Sequence, residues 1–152
     1  MPRVQVGRYE LNYLDEGQGT PVVFIHGLAG DLSAWTPQMQ ALKSRYRVIS
    51  FDNRGAGKST QINEPISTRD MARDTIGLME ALDVGRAHIV GRSMGGAIAQ
   101  HIALERPDLV GSLVLCASFA KLDPLGARVL HNMREVLEWR GNWADHARHS
   151  VQ

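Results

Sequence analysis

One cysteine, Cys116, stands among the 152 residues, which excludes an intrachain disulfide framework and fits a reducing compartment such as the cytoplasm. No apolar run approaches the roughly 18 residues that a membrane-spanning helix needs. The opening stretch MPRVQVGRYE carries no apolar core of the signal-peptide kind. A dominant charge is missing as well: 17 Lys+Arg against 16 Asp+Glu leave a formal charge of +1. No broad field therefore favours nucleic acid or anionic lipid. No His/Cys/Asp cluster stands at metal-ligand spacing, so neither metal nor organic cofactor is expected. There is no internal repeat and no low-complexity segment. What is present is 43% hydrophobic and 22% charged sequence, enough apolar material to offset the entropy of ordering one domain's core.

Strand-like and helix-like segments alternate along the chain. Residues 3–6 and 9–15 alternate polar and apolar around Gly7 and predict a hairpin at a sheet edge. Pro21 then opens VVFIH, a β-branched run that fits a strand buried on both faces. Helical spacing over 33–45 places Trp35, Met39 and Leu42 on one face, with Ser33 as the expected N-cap and Pro37 in the first turn. RVISFD (47–52) predicts the next strand, 53–66 a loop, and Ser67 or Thr68 the cap of a helix reaching Leu82. Strands at 87–91 and 112–118 flank a helix over 94–106, and an amphipathic helix is expected over 124–140. This alternation predicts an α/β fold: a mostly parallel sheet with helices on both faces.

Three segments carry chemistry. Gly91-Arg92-Ser93-Met94-Gly95-Gly96 matches G-x-S-x-G between a predicted strand and a predicted helix. A nucleophile on such a turn needs a strained backbone and close neighbours, and glycines two residues to either side remove the Cβ atoms that would clash. The hydroxyl of Ser93 is thereby presented at a helix N-terminus, where amide donors and positive potential meet a developing anion. His26-Gly27-Leu28, with Gly30, follows the buried strand. Its amides, most plausibly that of Leu28, pair with the amide of Met94 as an oxyanion hole. His26 itself reads either as a base or as a structural histidine ordering the loop, and its place at a strand end favours the structural role. Asp52-Asn53-Arg54-Gly55-Ala56-Gly57-Lys58-Ser59 imitates a phosphate loop, but Asp52 stands where that motif requires glycine and the next helix starts too late. A glycine-shaped turn tied by Asp52 and Arg54 is expected instead.

The blocks HGLAG, DNRGAGKS and GRSMGG, in this order and spacing, resemble the α/β-hydrolase superfamily, and GRSMGGAIAQHIALERPDLVGSLVLC is similar to esterases and oxoadipate enol-lactonases. The resemblance covers about residues 3–120. It implies a serine hydrolase acting on a carboxylic ester or lactone, with Ser93 as nucleophile forming an acyl-enzyme. It also implies Leu28 and Met94 as oxyanion amides, and Gly91, Gly95 and Gly96 as elbow glycines. Residues 1–120 would be the N-terminal part of the hydrolase core and 121–152 the beginning of a helical lid.

The family places its acid and then its histidine after the lid, and no position here receives that histidine. Asp123 stands where some members carry the acid; His131, His146 and His149 are candidates for the base by residue type only. The lid segment carries Leu130, Met133, Leu137, Trp139 and Trp143. The expectation is therefore a truncated hydrolase whose apolar strand 112–118 forms an exposed edge. The alternative is a non-catalytic chain, or one completed by a second polypeptide or by homo-oligomerisation, that acts by binding.

Overall fold

A computed structural model describes residues 2–138, with side chains to residue 132. Residues 1–120 form one compact unit and the segment from 121 onward a second. In the first unit the strands are β1 (Arg3–Val6), β2 (Tyr9–Glu16), β3 (Pro21–Ile25), β4 (Arg47–Phe51), β5 (Ala87–Arg92) and β6 (Val110–Cys116). They form one sheet in the order β1-β2-β4-β3-β5-β6. β1 and β2 make an antiparallel edge hairpin, β2 runs antiparallel to β4, and β4, β3, β5 and β6 are mutually parallel.

The helices of this unit are α1 (Thr36–Leu42), α2 (Thr68–Ala81) and α3 (Met94–Glu105). Successive residues of a strand point to opposite faces, and β3 shows the consequence. Val23 and Ile25 join the core built with Met71, Leu78, Met79, Ile98 and Ile102 of α2 and α3. Val22 and Phe24 join a smaller core with Trp35 and Met39 on the other face. Helices thus cover both faces, which is why VVFI carries no polar residue.

Local chemistry sets the helix ends. α2 begins in a capping box: Ser67 accepts from the Asp70 amide while the Asp70 carboxylate accepts from the Ser67 amide. The helix expected over 33–45 is shorter than its periodicity suggests. Asp31, not Ser33, caps a 3-10 turn over Leu32–Trp35 by accepting from the Ser33 amide at 2.8 Å, and α1 follows with Pro37 in its first turn. β6 lies two residues earlier than its hydrophobicity suggests, because Ala117 turns the chain out of the sheet at φ 45°.

The strand order reverses at β3. The chain leaves β3 toward β4 on one side and leaves β5 toward β6 on the other, so the connections diverge at the C-terminal ends of β3 and β5. In open α/β sheets this switch point is where ligands bind. At the far side of the first unit, β6 is the last strand among the described residues. Its neighbours Val114 and Leu115 face opposite sides of the sheet, and both are 44% exposed. In the second unit, α4 spans Pro124–Glu138. No described helix is long and apolar enough to cross a membrane.

Candidate active site

Ser93 sits at the switch point, between the last residue of β5 and the first of α3. Its backbone lies at φ 53°, ψ −122°, a conformation that L-residues adopt only under constraint. The constraint comes from both sides: the Ser93 amide donates to the Cys116 carbonyl at 2.9 Å, and the Ser118 hydroxyl donates to the Ser93 carbonyl at 2.9 Å. The serine is half-buried, and its hydroxyl makes no capping bond to α3.

The elbow glycines are required by approach. A Cβ on Gly91 would strike the Gly95 carbonyl, one on Gly95 the carbonyl oxygens of Ile25 and His26, and one on Gly96 the Ser118 side chain. Strand, elbow and helix are therefore in backbone contact with the end of β3. The loop after β3 lies against the same turn: a Cβ on Gly27 would stand 3.2 Å from Ser93 Cβ. Within this loop Ala29 takes a left-handed φ of 57°, and the Gly30 amide donates to the Gly27 carbonyl. The Leu28 amide donates to no other group among the described residues. Met94 heads α3, where first-turn amides lack intrahelical acceptors. The loop after β3 and the N-terminus of α3 thus flank the serine.

His26 is fully committed elsewhere. The Asn53 amide donates to its Nε2 at 3.1 Å, so Nε2 carries the lone pair and Nδ1 the proton, which goes to the Gly27 carbonyl at 2.8 Å. Burial holds the imidazole below its usual pKa, and protonating Nε2 would set two donors against each other. His26 is the brace that joins the loop after β3 to the turn after β4, as its place at a strand end suggests. A sign follows. The unfolded histidine takes up a proton near pH 6.5 while the folded one resists, so protonation favours the unfolded chain. The stability that neutral His26 contributes is present above about pH 6.5 and is lost as pH falls through its lowered folded value. The thermal midpoint of the parent chain is expected to fall more steeply between about pH 6.5 and 5 than that of His26→Gln. Parallel slopes would refute the assignment.

The turn after β4 is built on Asp52. Its buried carboxylate accepts from the Leu32 amide, the Lys58 amide and Asn12 Nδ2, each at 2.8 Å. Gly57 takes φ 50°, and a side chain there would collide with that carboxylate. Arg54 makes a two-pronged pair with Asp74 at 2.7 Å and lies 3.8 Å above the Tyr9 ring. The loop's amides thus serve internal acceptors: Gly55 donates to Thr60, Ala56 to Asn53, and Lys58 to Asp52. It is a structural turn and no phosphate cradle. Sequence reasoning missed Asn12, Asn53, Ser118 and Gln100; the last ties the Gly96 and Phe119 carbonyls together. Nothing local marks any of them, since each has a partner remote in the chain.

In the second unit Asp123 caps α4: its carboxylate accepts from the Gly126 amide at 2.6 Å and its carbonyl from the Ala127 amide at 2.9 Å. His131 lies on α4 and is exposed. Trp139, Trp143, His146 and His149, and the side chains of Met133 and Leu137, lie outside the described residues. Among the described residues no group of three His, Cys, Asp or Glu side chains could hold a metal ion.

A parallel sheet with a strained serine at its switch point is the architecture of α/β hydrolases. The model of the alpha/beta hydrolase fold matches residues 20–147, and the chain belongs to that family. It is 47% identical over 128 residues to the Mycobacterium tuberculosis protein named "Putative non-heme bromoperoxidase BpoC", covering 83% of this chain and 48% of that one. A thermophilic esterase from Thermogutta terrifontis superposes with a TM-score of 0.85 at 32% identity, covering 93% of this chain and 55% of the esterase. The enol-lactonase from Burkholderia xenovorans LB400 superposes with a TM-score of 0.78 at 30% identity, covering 99% and 64%. The chain spans about half the length of the curated relatives it matches.

Proposed function

We propose that this chain carries the nucleophile half of a serine hydrolase acting on a small carboxylic ester or lactone. The observation that carries the reading is the backbone of Ser93, held at φ 53° between packed glycines and against the loop after β3; on this reading the amides of Leu28 and Met94 face the reacting oxygen. A fold retains strain of this kind where presenting a side chain is worth its cost. The esterase and the enol-lactonase among the similar structures supply the substrate class. Ser93 Oγ adds to the carbonyl carbon and gives its proton to a base. The two amides hold the tetrahedral oxyanion. The C–O bond to the leaving oxygen then breaks as that oxygen gains a proton, and water repeats the addition to release the acid. His26 does not supply the base, because its lone pair is taken by Asn53. On this reading the base is a group other than His26. No metal or organic cofactor takes part.

The test is intact mass after exposure to a fluorophosphonate. A single adduct on the parent chain, absent in Ser93→Ala, is expected; an adduct that persists in Ser93→Ala overturns the assignment. A folded chain that takes no adduct supports a second reading, in which the serine is presented but unarmed and further polypeptide completes the site. The half-exposed Val114 and Leu115, on both faces of β6, favour that reading, since an uncovered apolar edge strand invites pairing.

A further inference from the structure

Two non-glycine residues with positive φ stand on adjoining segments of the first unit, Ser93 at 53° and Ala117 at 45°. The residues on either side of Ala117 grip the two peptide groups that flank Ser93. The Cys116 carbonyl accepts from the Ser93 amide at 2.9 Å, and the Ser118 hydroxyl donates to the Ser93 carbonyl at 2.9 Å. Since φ and ψ are the rotations between two rigid peptide groups, holding both groups fixes the backbone of the residue between them.

Other contacts of Ser93 do not account for its conformation. Its carbonyl also accepts from the amides of Gly96 at 2.9 Å and Ala97 at 3.3 Å. Helices make such first-turn bonds with an N-cap in ordinary extended backbone. The elbow glycines give room, and room alone sets no dihedral. The gripping segment, by contrast, is itself anchored. Gln100 of α3 donates from Nε2 to the Phe119 carbonyl at 3.0 Å and to the Gly96 carbonyl at 3.2 Å. The Ser118 side chain packs where a Cβ on Gly96 would lie, and Ser118 is half-buried.

We infer that Ser118 is a positioning residue for Ser93: its hydroxyl, acting through the Ser93 carbonyl, holds the positive-φ backbone that presents Ser93 Oγ, and thereby sets how fast that oxygen reacts. This deepens the hydrolase reading and rests on it for the reaction, whereas the backbone claim stands without it. If Ser118 only anchored the segment that leaves β6, the elbow would keep its shape without the hydroxyl.

The test compares the full chain with Ser118→Ala, which keeps the Cβ against Gly96 and removes only the hydroxyl, and with Ser118→Thr, which keeps the hydroxyl. The first readout is the NMR one-bond Cα–Hα coupling of Ser93, smaller at its φ and ψ than in helical or extended backbone. It is expected to rise toward the ordinary range in Ser118→Ala and to match the parent in Ser118→Thr. The second readout is the kinetics of fluorophosphonate labelling. In Ser118→Ala the rate constant of the bond-forming step is expected to fall about tenfold, the size of one hydrogen bond felt in the transition state. The half-saturating probe concentration is expected to stay unchanged, because Ser118 reaches the site only through Ser93. Thermal midpoints are expected to stay within about 4 °C of the parent, which separates lost reactivity from lost folding. Thr75→Val removes a hydroxyl-to-carbonyl bond within α2 and, as the control, is expected to alter neither readout. An unchanged coupling in Ser118→Ala, an equal change in Thr75→Val, or a loss in Ser118→Thr as large as in Ser118→Ala overturns the inference. So does a changed coupling with undiminished labelling. If the parent chain takes no label, the armed nucleophile falls and the coupling alone decides the role of Ser118.

Discussion

Asp52→Ala is expected to destabilise the chain by about 3–5 kcal/mol, because it removes the acceptor of three donors, two of them closed to water. The Leu32 amide, the Lys58 amide and Asn12 Nδ2 all converge on this carboxylate. Each orphaned donor costs about 1–3 kcal/mol, and the Lys58 amide, at the loop surface, recovers most of its share from water. The corresponding drop in thermal midpoint is about 10 °C for a chain of this length. Asp52→Asn keeps the shape and one oxygen but turns an NH2 toward at least one donor, so it is expected to lose more than half as much. The loss extends to the site, since the next residue, Asn53, holds His26. Chemical denaturation of the three proteins side by side checks the order. A change below about 1 kcal/mol for Asp52→Ala would mean that the carboxylate is incidental, since ordinary surface substitutions fall near that range.

Gly95→Ala sets two principles against each other. Gly95 lies in the first turn of α3, and inside a helix alanine is favoured over glycine by about 1 kcal/mol. The added Cβ, however, would meet the backbone carbonyls of Ile25 and His26. Those atoms belong to the end of β3 and cannot rotate away as a side chain could. Moving them means parting α3 from the sheet, so the packing term should exceed the propensity gain, with a net loss of about 2–3 kcal/mol or failure to fold. Gly85→Ala is the control: no atom lies within 4 Å of a Cβ built there, and little change is expected. Urea denaturation reads both variants. A stabilised Gly95→Ala would show that β3 and α3 do not touch as described, and the elbow geometry would fall with it.

Both effects concern the same few ångströms, and they differ in how far the sequence reveals them. The elbow shows itself locally: glycines two residues either side of Ser93, a β-branched run before and a small-residue helix after. The loop at His26 is marked by its place directly after a buried strand. The two-sided burial of β3 follows from a run without polar residues. Asp52 is marked only by what it spoils, a phosphate-loop pattern. Its actual partners stand at positions 12, 32 and 58, and no local pattern joins them.

The linear sequence by itself determined the alternation of strands and helices, the burial of VVFI and RVISF, and the strained turn at Ser93, because each depends on residues within a few positions of one another. Tertiary structure alone decided the strand order with its reversal at β3, the tautomer of His26 and the convergence of three donors on Asp52. Hydrogen bonds and ion pairs form between groups that folding brings together, and a side chain's chemistry is settled by the partner it meets.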